Sequence, residues 1–79
     1  MDKQQILKEI TDIFKDTLDD EEVTLTFDTI ATDVDGWDSL SHVMLVVAIE
    51  KHFKIRFTSK EIQSWKNVGE MVDCIAGKF

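Results

Sequence analysis

Seventy-nine residues with 43% hydrophobic and 32% charged side chains, five Phe and two Trp describe one folded domain, 1–79, rather than a disordered tract. A chain this short buries only about 60% of the surface its unfolded form exposes, so the core is small. The net charge of −7 excludes a nucleic-acid binder, which needs Lys and Arg to neutralise phosphates, and the longest apolar run, Val43 to Ile49, falls far short of the about 20 residues of a membrane span.

In chain order, Ile6, Leu7, Ile10, Ile13, Phe14 and Leu18 recur at three- and four-residue spacing and predict an amphipathic helix over Asp2 to Leu18. Asp19-Asp20-Glu21-Glu22 interrupts that pattern, and a long irregular connection is expected as far as Asp38. Thr24-Leu25-Thr26-Phe27 alternates like a strand but has no partner, so it reads as loop, with Val23, Leu25, Phe27 and Ile30 partly tucked against the core.

The β-branched run at Val43 to Ile49 favours strand on propensity, yet the segment Ser39 to Phe53 is too long for one. Leu45, Ile49 and Phe53 share a face at helical spacing, which predicts a central helix. Thr58 with Glu61 forms a capping-box pattern for a short helix through Ser64. Asn67 is placed to cap a last helix with Val68, Met71, Val72 and Ile75 on its apolar stripe, stopped near Gly77. The expected fold is all-α: a small four-helix bundle of three longer helices and one short one, with a long loop between the first and second.

Charge divides unevenly. Residues 1–38 hold twelve acids and three lysines, residues 39–79 four acids and six bases. Cys74 stands alone, so it forms neither an internal disulfide nor a thiolate metal site, and reads as a small apolar residue on a helix. Met1-Asp2-Lys3-Gln4-Gln5 lacks the basic-then-apolar pattern of a secretion signal, and the cytoplasm is the expected location.

The chemistry converges on Ser39. A helix start offers unpaired N–H groups and the positive end of the helix dipole, both of which favour a phosphate. The plain alternative is that Asp38 and Ser39 only cap the helix. With Gly36-Trp37-Asp38-Ser39-Leu40 in place, the sequence resembles the acyl and peptidyl carrier proteins over essentially its whole length. The likeness rests on the amphipathic first helix, the acidic Glu21-Glu22-Val23 stretch, Phe27 and Ile30 ahead of the motif, Leu45, Ile49 and Phe53 in the second helix, and Val68 with Ile75 in the last.

That resemblance implies that a phosphopantetheinyl transferase uses coenzyme A and Mg²⁺ to attach 4′-phosphopantetheine to Ser39. The arm's thiol then carries acyl groups as thioesters to acyl-transferring or acyl-modifying enzymes of a lipid, polyketide or other specialised pathway. The chain itself would be no enzyme, would hold no catalytic or metal site, and would act as a monomer. Leu45, Val46, Ile49, Phe53, Ile62 and Trp65 are the candidate apolar lining for a cargo, with core packing as their alternative role.

The chain also departs from the fatty-acid-synthesis carriers, whose second helix is acidic. Only Glu50 remains there, among Ser41, His42, Met44, Lys51 and His52, with Lys54 and Arg56 following. Val43, Met44 and Val47 would form an exposed apolar patch suited to docking, or would complete the core. Trp37 likewise resembles the specialised carriers, or is an anchor for its loop. Together these features predict a dedicated pathway with less basic partners.

Three other readings are available. A hydrolase could enlist Ser39, His42 and a nearby carboxylate, the first two on one helix face at i and i+3, but a bundle of this size offers little to enclose a triad and its substrate. A calcium loop starting at Asp33 and using Asp35 and Asp38 fails on spacing, because Trp37 and Met44 stand where oxygen ligands are needed. A small helical interaction module without a prosthetic group, docking through Val43, Met44 and Val47, is the principal alternative.

Overall fold

The structure is a computed structural model that describes residues 2–78. It contains α1 (Lys3–Leu18), a 3-10 turn at Ala31–Asp33, α2 (Ser39–Phe53), α3 (Ser59–Ser64) and α4 (Val68–Ala76), and no strand among the described residues.

Asp2 stands outside α1 as its N-cap, its carboxylate accepting from the Gln4 amide at 3.1 Å. Ile6, Ile10 and Phe14, one turn apart, are fully buried, and they meet Leu45, Ile49 and Phe53 of α2 and Val68, Met71, Val72 and Ile75 of α4 in a single core. Each such side chain contributes about 1.5–3 kcal/mol relative to exposure, and this burial, more than helix propensity, holds the short helices in place. The surface ion pair Lys3–Asp73 (2.8 Å), which adds about 0–1 kcal/mol, ties α1 to α4, and a hydrogen bond between His52 Nε2 and the Glu9 carboxylate (2.7 Å) ties α2 to α1.

Both long helices end on a non-glycine residue in the left-handed region, Asp19 (φ 52°) after α1 and Lys54 (φ 58°) after α2. The sequence offers no glycine at either place. The Lys54 amide returns to the Glu50 carbonyl, and the Glu50 carboxylate accepts from the Phe57 amide at 2.8 Å, so one residue anchors the connection to α3. Gly77 does follow α4, but at φ −69° it is not a left-handed cap.

The long connection is pinned at several points. Val23 and Leu25 enter the core as expected and Val34 joins them there, whereas Phe27 (37% exposed) and Ile30 (42%) do not. The reason lies in the backbone. The Phe27 and Thr29 carbonyls accept from the Gly69 and Val68 amides at 2.7 and 2.8 Å, so the loop closes the open N-terminal turn of α4 and leaves the Phe27 ring on the outside. Buried Thr29 is satisfied in turn by the Thr26 amide at 2.7 Å and the Thr26 hydroxyl at 3.1 Å.

Candidate functional site at the start of the second helix

The turn that delivers Ser39 depends on Gly36, whose φ of +84° suits glycine. Trp37 then folds inward, its ring edge-on to Phe14 with centroids 4.9 Å apart, and anchors the loop on α1. Its indole Nε1–H donates to Nδ1 of His42 at 3.1 Å, and the two rings stack with centroids 6.0 Å apart.

Asp38, not Ser39, is the N-cap. Its Oδ1 accepts from the amides of Leu40 at 3.0 Å and Ser41 at 2.9 Å, and its carbonyl accepts from the His42 amide at 2.8 Å. Ser41 completes the box: its hydroxyl accepts from the Asp38 amide at 2.8 Å and donates to the Gly36 carbonyl at 2.6 Å. The Ser41 amide, ahead of its hydroxyl and the Leu40 amide, holds the Asp38 carboxyl below the ordinary 3.8. Ser39 is the first residue inside the helix, exposed, and its hydroxyl takes no part in this network.

The capping role considered for Ser39 is therefore filled by its neighbours. So is much of the anion site expected at the helix start, because the amides a phosphate would use there are already taken by the Asp38 carboxylate.

Beside Ser39 lies a cavity of about 320 Å³. Trp37, His42 and Trp65 form its aromatic wall, with His42 edge-on to Trp65 at 6.2 Å between centroids. Buried Met71 is also on the lining, and Ala31, Asp38, Lys66 and Asn67 complete it around Ser39. Burial lowers the His42 pKa from the ordinary 6.5, against a hydrogen bond to the Ile62 backbone, which leaves a neutral imidazole accepting at Nδ1.

Of the candidate lining residues, only Trp65 reaches this cavity. Leu45, Val46, Ile49 and Phe53 are buried, and Ile62 is half-buried in α3. The cavity instead uses residues from the loop and from the α3–α4 connection, which no single-helix periodicity reveals. Trp37 and His42 were legible as unusual residues near the motif, but not as partners.

His42 and Ser39 do share the cavity, as their i, i+3 spacing implies, yet Nδ1 is engaged by Trp37 and aims no base at the serine. The described residues contain no cluster of His, Cys, Asp or Glu arranged to hold a metal. On the outer face of α2, Val43 (60% exposed), Met44 (51%) and Val47 (43%) are joined by Leu40 (73%), so the apolar patch exists and is larger than expected. At its end stand Lys51, Lys54 and Arg56, none in an ion pair among the described residues.

The sequence model of the phosphopantetheine attachment-site family matches residues 6–75. An acyl carrier protein of Coprothermobacter proteolyticus is 32% identical over 95% of this chain and 92% of its own. One of Cyanidium caldarium is 34% identical over 98% and 90%. In structure, the chain is similar to a holo acyl carrier protein from Geobacter metallireducens solved by solution NMR, with a TM-score of 0.85 and 46% identity, covering 91% of this chain and 83% of the other.

Proposed function

The chain belongs to the phosphopantetheine-attachment family and within it to the acyl carrier proteins, carriers rather than enzymes, and from that premise we propose that Ser39 is the residue that bears the prosthetic group. The observation that carries this assignment is the division of labour at the helix start. Asp38 and Ser41 do the capping, which leaves an exposed serine hydroxyl with no structural duty beside a preformed cavity.

The residues fit a phosphopantetheine arm. The hydroxyl is open to a transferase, and the adjoining cavity combines two indoles with Lys66 and Asn67, as suits a ligand part apolar and part anionic. In the attachment step the Ser39 oxygen bonds to the β-phosphorus of coenzyme A, adenosine 3′,5′-bisphosphate leaves, and the hydroxyl proton passes to the transferase. The thiol so attached supplies a site for thioester chemistry, while this chain's own residues position and present it.

One carrier unit, residues 1–79, would then act in the cytoplasm as a monomer, meeting a transferase and acyl-handling enzymes in turn. Those partners belong to a dedicated pathway rather than to general fatty acid synthesis. Leu40, Val43, Met44 and Val47 present an apolar face that ends in Lys51, Lys54 and Arg56, none of them in an ion pair among the described residues, which suits partners that are apolar and weakly basic or acidic at the contact. Turnover with a housekeeping fatty-acid ketosynthase equal to that of its native carrier would contradict this assignment of pathway.

Carriage itself is tested by loading from acetyl-coenzyme A with Mg²⁺ and a promiscuous phosphopantetheinyl transferase. The expected product bears the acetylated arm on the Ser39 peptide and loses only the acetyl group to neutral hydroxylamine. An adduct on any other residue would refute the assignment.

A further inference from the structure

Two observations at Ser39 pull against each other. The amides of Leu40, Ser41 and His42, which would ordinarily receive an anion at a helix start, are occupied by Asp38, and the Asp38 carboxylate places a negative charge next to the attachment point. A phosphodiester on Ser39 would find its counter-charge elsewhere.

The lining of the adjoining cavity contains a lasting cation, Lys66, since His42 is held neutral there. Lys66 is exposed and has no ion-pair partner among the described residues. Asn67 stands beside it, with its carbonyl oxygen committed to the Glu70 amide at 2.9 Å and its amide protons left for a ligand. The Trp37 and Trp65 indoles line the same cavity with Met71, held in position by His42, which accepts from one and packs edge-on against the other.

Resting on the assignment of Ser39, we propose that this cavity is a seat for the first part of the phosphopantetheine arm: Lys66 pairs with the phosphodiester, and the Trp37 and Trp65 rings cover the gem-dimethyl pantoyl segment. The cavity adjoins the attachment point, so the part of the arm nearest Ser39 reaches it first. The apolar methyls lie against aromatic walls, and the anion sits at the rim where Lys66 and water both reach it. The arm thus leaves the bundle from the α3 side, with its thiol end free for partners and the apolar face of α2 left uncovered for docking.

The test compares apo and holo protein, the latter prepared with coenzyme A, Mg²⁺ and a promiscuous transferase and verified by intact mass. Loading is expected to shift the indole N–H resonances of both Trp37 and Trp65 and to give NOEs between the pantoyl methyls and those rings. The ³¹P resonance of the holo protein should move with added salt, as a rim ion pair is screened, and lose that response in Lys66→Gln, an exposed change that leaves the core untouched. Verified loading with unshifted indoles, or with pantoyl NOEs to Leu40 and Val43 instead, would overturn the seat. A ³¹P response unchanged in Lys66→Gln would overturn the role of the lysine. Absence of any mass gain would instead remove the assignment of Ser39, and the seat with it.

Discussion

The Gly69 amide donates to the Phe27 carbonyl at 2.7 Å, and a Cβ built on Gly69 would stand 2.7 Å from the same oxygen. Glycine at this position lets the long loop approach α4 closely enough to satisfy its first turn, and the loop so held is the one that presents Ser39. Gly69→Ala forces the two segments apart and should cost about 1–3 kcal/mol, as overpacking does. Gly77→Ala is the control, because its Cβ would meet nothing closer than 3.5 Å at an ordinary φ of −69°. Urea unfolding of both variants checks the contrast, and equal midpoints would count against it.

Ser39→Ala and Asp38→Ala should separate function from stability. The serine hydroxyl has no role in the cap, so its loss should change stability by less than about 0.5 kcal/mol while abolishing attachment. Asp38→Ala removes the acceptor for the Leu40 and Ser41 amides and should cost about 0.5–2 kcal/mol. Thermal unfolding of the apo proteins reads both.

Glu61 gathers three interactions. Its carboxylate accepts from the Thr58 amide at 2.8 Å and the Lys78 ammonium at 3.1 Å, and from the Cys74 thiol at 3.4 Å. The backbone bond at Thr58, then Lys78 and Cys74, hold its pKa down to about 2 from 4.5. The folded chain therefore binds fewer protons than the unfolded one at this site. Its contribution is full above pH 4.5 and is lost as pH falls from there toward about 2. In urea titrations across that window the parent should lose more stability than Glu61→Gln, and parallel curves would contradict the assignment.

His42 should titrate below the ordinary 6.5, since burial disfavours its charged form and Nδ1 already accepts from Trp37. Trp37→Phe keeps a ring against Phe14 but removes the donor. It should raise the His42 midpoint and cost about 1–3 kcal/mol for the acceptor left unsatisfied. Imidazole NMR titration and urea unfolding of the pair measure each part.

The helices and most caps were legible because they obey local rules. The apolar stripes of α1 and α4, the Thr58–Glu61 box, the Asn67 cap and the buried Leu45, Ile49 and Phe53 all follow from spacing within a few turns. What escaped reading depends on contacts distant in sequence. Phe27 was expected to tuck in on its hydrophobicity, yet its carbonyl is wanted by Gly69, and the ring turns outward. Asp19 and Lys54 end helices in a conformation that glycine usually supplies, so no residue signalled it. At the site, the motif pointed to Ser39, but only the fold reveals that Asp38 and Ser41 relieve it of capping and that Trp65 and Lys66 arrive beside it from beyond α3.

The central claim is tested most directly by intact mass after incubation with coenzyme A, Mg²⁺ and a promiscuous phosphopantetheinyl transferase, with folded Ser39→Ala alongside. The parent alone should gain the mass of one phosphopantetheine. No gain in a folded parent, or an equal gain in Ser39→Ala, would contradict the assignment of Ser39 as the carrier residue.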